Sequence, residues 1–148
     1  MTSGLEVLYR DVIRDHNKRP RNFRVLEGGS KAEGSNPLCG DRLTVYLRVA
    51  NGTIQEAAFQ GYGCAIAIAS ASLMTESVKG KTLAEAEALF EHFLQMITAP
   101  AEEPVGDVGD LSAFAGIRRF PVRLKCATLP WQALRAAAAR RVEAVSTE

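Results

Sequence analysis

The sequence has no long apolar run, almost no net charge and only three cysteines, and each shortage excludes a class of protein. Its longest hydrophobic stretches are far too short to span a bilayer. The N-terminus also lacks the basic-then-apolar pattern of a secretory signal. Eighteen Lys and Arg residues nearly balance seventeen Asp and Glu, for a formal net charge of +1. No global field is left to draw in nucleic acid or an anionic membrane. Aromatics do not interleave with the basic residues, and nothing resembles an RNA-binding motif. Three cysteines is an odd number, which rules out a complete intramolecular disulfide framework. With no export signal, reduced thiols in the cytoplasm are the expectation. Internal repeats, low-complexity tracts and linkers are also missing. What is present, 148 residues that are 47% hydrophobic and 24% charged, reads as one domain over 1–148 with a core of its own.

The near-neutral total hides blocks of charge. Arg10 to Arg24 carries six basic residues against two acids, Leu83 to Asp110 carries seven acids and no Lys or Arg, and Leu111 onward carries seven basic residues against two acids. Such blocks are first of all solvated faces. They also suit a basic rim around a site for anionic sulfur, or docking of an acidic partner.

Ser3 opens a helical pattern with Leu5, Leu8, Tyr9, Val12 and Ile13 on one stripe, and Glu6 completes a capping box with Ser3. Pro20 stops that helix. Residues 27–37, rich in glycine, read as loop with at most one short edge strand. Leu43, Val45, Leu47 and Val49 alternate with Thr44, Tyr46 and Arg48, the period of a half-buried strand. Asn51-Gly52 then calls for a type I′ hairpin turn and a return strand from Thr53 to about Gln60. A small-residue helix follows from Ala65 towards Gly80. Thr82 and Glu85 form a second capping box for a helix through about Ile97. Residues 98–110 read as loop, Leu111 starts a short helix, and a last helix lies between Pro121 and about Val145, kinked or restarted at Pro130. The pattern is an α+β domain.

The chemistry sits where these elements change. Cys39 lies in a turn just before the first clear strand, and Cys64 just after its antiparallel return strand, so both fall at the open end of the hairpin. Asp41, two residues beyond Cys39, points to the same face in an extended segment. Cys126 must be delivered by tertiary packing. Three thiolates and a carboxylate suit tetrahedral zinc, and sulfur ligands suit an iron–sulfur cluster equally well. Cys64 at a helix N-terminus, and Cys126 beside Lys125 and near Arg123, have electrostatic reasons to be thiolates.

Three segments carry a family resemblance: Asn-Pro-Leu-Cys-Gly-Asp at 36–41, Gly-Tyr-Gly-Cys-Ala-Ile-Ala-Ile-Ala-Ser at 61–70, and Arg-Leu-Lys-Cys-Ala-Thr-Leu-Pro-Trp at 123–131. Together with Asp15-His16 and Pro20-Arg21-Asn22, they resemble the SufU proteins of the IscU/NifU N-terminal superfamily, over nearly the whole chain. IscU proteins have histidine directly before the third cysteine, where this chain has Lys125. Their Leu-Pro-Pro-Val-Lys chaperone segment is replaced by Arg119-Phe120-Pro121-Val122-Arg123. The acidic stretch around 98–118 is similar to the SufU insertion. Pro130 departs from SufU, which usually has a helix-compatible residue there.

The resemblance implies an IscU/SufU-like fold, a small antiparallel sheet of about three strands against several helices. It implies one zinc ion on Cys39, Asp41, Cys64 and Cys126, with Cys39 as acceptor of persulfide sulfur from a SufS-type cysteine desulfurase. A partner histidine would replace Cys39 on the zinc and free its thiolate for attack, for delivery to downstream iron–sulfur assembly or acceptor proteins. Arg123 and Lys125 would steady the anionic persulfide by charge alone. The alternative on the same ligands is a non-catalytic scaffold holding a transient [2Fe–2S] cluster. Neither reading involves nucleic acid or membrane. His16 reads as a packed or capping histidine, His92 as surface, and Trp131 as core or partner contact. The alanines at 136–139 are helix propensity alone. Ser70 and Ser72 have no visible histidine–acid partnership for hydrolysis.

Overall fold

The computed structural model describes residues 4–104, 108–139 and 145–146. The Ser3 half of the first capping box lies outside them. A helix, α1 (Gly4–Lys18), leads into the strands β1 (Ser30–Asn36), β2 (Asp41–Ala50) and β3 (Thr53–Tyr62). Helices α2 (Ala65–Val78) and α3 (Leu83–Thr98), a 3-10 stretch over Gly109–Arg119, a single 3-10 turn at Pro121–Arg123 and α4 (Leu124–Ala138) follow. Two residues, Val145–Ser146, form β4. The sheet order is β3-β2-β1-β4; the first three strands are antiparallel and β4 lies parallel to β1.

The hairpin forms as its turn residues demand: Asn51 and Gly52 have φ of 54° and 75°, the positive pair of a type I′ turn. Leu43, Val45 and Leu47 are wholly buried on the face that meets the helices. Removal of each such side chain from water contributes about 1.5–3 kcal/mol. The Thr82–Glu85 capping box is complete, with both reciprocal hydrogen bonds in place. Trp131 stacks against Phe90 and Phe93, while His92 is exposed, as expected of each.

Four expectations are corrected. Residues 30–36 are a full strand paired along its length with β2 rather than mainly loop. Its inward residues, Ala32, Gly34 and Asn36, are too small or polar to give a hydrophobic alternation. Gly34 lies close under the helix that covers the sheet: a Cβ there would come within 2.9 Å of Leu129 Cδ1, which would have to shift. The last helix ends at Ala138, and Val145 belongs to β4. It runs unbroken through Pro130 instead of restarting. The short helix expected from Leu111 is a 3-10 stretch beginning at Gly109.

Candidate metal centre

The turn between β1 and β2 sets two candidate ligands. Its carbonyls at Asn36 and Pro37 accept from the N–H groups of Cys39 (3.1 Å) and Gly40 (3.3 Å), and Gly40 has φ of 71°. Cys39 is thereby half-exposed at the apex, while Asp41 is buried as the first residue of β2. Cys64 caps α2 with extended backbone, one residue before the helix and directly beyond the end of β3. Cys126, fully buried in the first turn of α4, arrives from the far side.

The ligand atoms of Cys39, Asp41 and Cys126 all lie within 4.8 Å of one another. The Cys39 and Cys126 sulfurs are 3.1 Å apart, as free thiols in hydrogen-bonding contact. Cys64 flanks this group: its sulfur is 3.9 Å from Asp41 Oδ2, and its backbone N–H donates to Asp41 Oδ1 at 2.7 Å. Asp41 therefore spends one oxygen on the unpaired amide at the start of α2 and turns the other towards the sulfurs. Gly63 keeps this space open, since a Cβ there would sit 2.8 Å from Asp41 Oδ1. Tertiary packing thus brings Cys126 to the residues that the hairpin already places together.

Burial first, then the neighbouring Cys39, Cys64 and Asp41 groups, pushes the Cys126 thiol far up from its ordinary value. In the metal-free protein this buried sulfur keeps its proton. The Arg123 guanidinium is held more firmly charged by the neighbouring thiols, Cys64 first, then Cys126 and Cys39. Lys125 is exposed, and its ammonium makes no hydrogen bond or ion pair among the described residues. Three sulfurs and one carboxylate oxygen, in a cradle held open by glycine, are a donor set that fits zinc. The same thiols also fit an iron–sulfur cluster.

Asn36 was not singled out from the sequence as more than a motif position. It is fully buried beside the centre, with Nδ2 3.4 Å from Asp41 Oδ2 and 3.5 Å from Cys126 Sγ. It pairs with Asp41 at the end of the β1–β2 ladder, a register that no local sequence pattern announces.

The sequence model of the NifU-like N terminal domain family matches residues 8–141. The chain belongs to this family. It is 41% identical over 132 residues to the zinc-dependent sulfurtransferase SufU of Bacillus subtilis strain 168, covering 89% of this chain and 90% of that protein. It is 38% identical over 142 residues to the iron–sulfur cluster assembly scaffold protein IscU of Streptococcus pyogenes serotype M1, covering 96% and 89%. A solved structure assigned as an iron–sulfur cluster assembly scaffold for the SUF system, from Fervidobacterium islandicum AW-1, superimposes with a TM-score of 0.80 at 32% identity. That match covers 91% of this chain and 99% of the other. The motif resemblance to SufU and the three-strand IscU/SufU-like fold both stand. No helix among the described residues is long and apolar enough to cross a membrane.

Proposed function

We propose that this NifU-N family chain is a zinc-binding sulfurtransferase, which accepts persulfide sulfur on Cys39 from a SufS-type cysteine desulfurase and passes it to iron–sulfur assembly. The supporting observation is the mutual approach of Cys39, Asp41 and Cys126, within 4.8 Å, with Cys64 against Asp41. In this reading Cys39, Asp41, Cys64 and Cys126 hold one zinc ion, which keeps thiols deprotonated without redox chemistry of its own.

The chain's own residues divide the work. Cys39, at a turn apex and half-exposed, is the sulfur that a partner can reach; Cys126 is buried. The Cys39 thiolate attacks the outer sulfur of the desulfurase persulfide. A new S–S bond forms on Cys39, the old one breaks, and the desulfurase cysteine leaves as a thiolate. Arg123, already drawn to the sulfurs electrostatically, favours the anionic persulfide that results; Lys125 adds a second positive charge to the rim. Leu38, Tyr62, Phe120 and Val122, exposed large hydrophobics, stand one to six positions from the three cysteines in sequence and suit a protein partner better than a small substrate. The reading places the chain, as one domain, in the cytoplasm.

The scaffold alternative rests on the same thiols and on the likeness to IscU proteins. Lys125, where IscU proteins carry histidine, favours zinc. Anaerobically purified protein with stoichiometric zinc and no charge-transfer absorption supports transfer; a brown cluster that moves intact to an acceptor supports the scaffold. The deciding experiment is Cys39→Ala in a desulfurase turnover assay. Transfer through Cys39 predicts that stimulation of the desulfurase disappears, and undiminished stimulation refutes it.

A further inference from the structure

Asn36 is completely buried, yet its carboxamide is only half satisfied. The amide nitrogen has two hydrogens and two partners, Asp41 Oδ2 at 3.4 Å and Cys126 Sγ at 3.5 Å. The amide oxygen has no hydrogen-bond partner among the described residues. A buried, unpaired carbonyl costs about 1–3 kcal/mol, so stability alone does not account for this side chain. Turning the amide over offers no relief, because the oxygen would then face two acceptors once Asp41 and Cys126 are both ionised.

The two partners share a property. Asp41 and Cys126 are the buried members of the candidate ligand set, whereas Cys39 and Cys64 are partly exposed. The Cys39 sulfur receives nothing from the Asn36 amide; among the described residues Cys126 is its side-chain hydrogen-bond partner. Hydrogen bonds from outside a metal's ligand set stabilise the negative charge on the ligand and hold its orientation. A neutral donor does this without adding a charge that would compete with a cation.

We propose that Asn36 is a positioning residue of the metal centre, anchoring Asp41 and Cys126 as permanent ligands and leaving Cys39 as the thiol free to depart. The inference rests on the metal-binding reading above and adds to it a division between held and releasable ligands. It assigns Asn36 to no step of bond making or breaking.

The test compares Asn36→Leu, which keeps the forked side-chain shape but removes both donors, with Asn36→Ala. Zinc affinity is read by chelator competition, the sulfur-to-metal absorption of the cobalt-loaded protein reports ligand geometry, and thermal unfolding is followed without metal. Anchoring predicts a 10- to 100-fold loss of zinc affinity in Asn36→Leu, the range for outer partners of ligands. It also predicts a shifted cobalt–sulfur band and a metal-free melting temperature no lower than that of the parent chain. Should Asn36→Ala fail to fold, the leucine variant alone decides. Zinc affinity within twofold of the parent and an unmoved band in Asn36→Leu overturn the anchoring role while leaving the metal centre intact. A parent chain that binds neither zinc nor cobalt overturns both.

Discussion

Asp41 Oδ1 accepts the backbone N–H of Cys64 at 2.7 Å, so a carboxylate from the first residue of β2 satisfies the N–H of the α2 N-cap residue itself, as an N3 side chain does in a capping box. The residue that ordinarily caps a helix is its own N-cap side chain, and here that residue is Cys64, whose side chain makes no capping bond. The link ties the carboxylate whose other oxygen faces the sulfurs to the start of α2.

Asp41→Asn and Asp41→Ala should separate these two duties. Asparagine retains an oxygen for the Cys64 amide, so its metal-free stability should stay close to that of the parent. Alanine removes the cap and should cost about 0.5–2 kcal/mol. Both should bind zinc much more weakly. Thermal unfolding without metal, paired with chelator competition, checks both halves; equal melting temperatures for the two variants would show that the cap contributes nothing.

Gly63→Ala should injure the site through space alone. Its added Cβ would stand 2.8 Å from Asp41 Oδ1 and 3.3 Å from the Ala67 Cβ, so the carboxylate must move. Overpacking of this kind costs about 1–3 kcal/mol, and the displaced Asp41 should lower zinc affinity at least as far as removing an outer hydrogen bond does, about 10-fold. Titration against a chromophoric chelator measures this, and parental affinity would mean that Asp41 has another place to go.

His16 should make the metal-free protein sensitive to mild acid. It is buried at 8% exposure, and its Nδ1 lies 2.7 Å from Ser72 Oγ. That hydroxyl already accepts the Arg21 N–H, which leaves its proton for the imidazole. Burial first, then the charge of Arg21, lowers the His16 pKa below its ordinary 6.5, against weaker opposing charges from Asp15, Glu76 and Asp110. Between the two values the unfolded chain binds the extra proton and the folded chain does not. Stability is therefore full above 6.5 and falls as pH drops through the window beneath it. Urea midpoints from about pH 7.5 to 5 should decline in the parent and flatten in His16→Gln.

How much of this was legible in the sequence depended on whether a local rule was at work. Asn51-Gly52 and the Leu43–Val49 alternation announce the hairpin, because turn geometry and one-sided burial each leave a short-range pattern. Cys39, Asp41 and Cys64 follow from that hairpin by adjacency. β1 was obscured because its inward positions hold Ala32, Gly34 and Asn36, chosen for the approach of α4 rather than for hydrophobicity. The end of α4 leaves no mark in the sequence, because the alanines at 136–139 run straight into its C-cap at Ala139 with neither glycine nor proline there to stop it. Pro130 looked like a break, yet packing of α4 against the sheet, with Leu129 and Trp131 wholly buried on either side of it, outweighs the lost backbone bond. Asn36 escaped notice as a site residue, since its partners are five and 90 residues away and only the folded chain sets them side by side.

Cys39 and Cys126 meet across 87 residues. On the zinc-binding reading, an ion shared between them would be a clasp, closing the turn between β1 and β2 onto the last helix. A covalent tie across a loop of that order restricts the unfolded chain by about 4–5 kcal/mol, and metal binding draws on the same coupling to folding. A chain that has made its hairpin but not docked α4 offers Cys39, Asp41 and Cys64 without the fourth donor. On the zinc-binding reading, completion of the centre would wait on completion of the fold, and a half-folded molecule would lack the buried donor that Cys126 supplies.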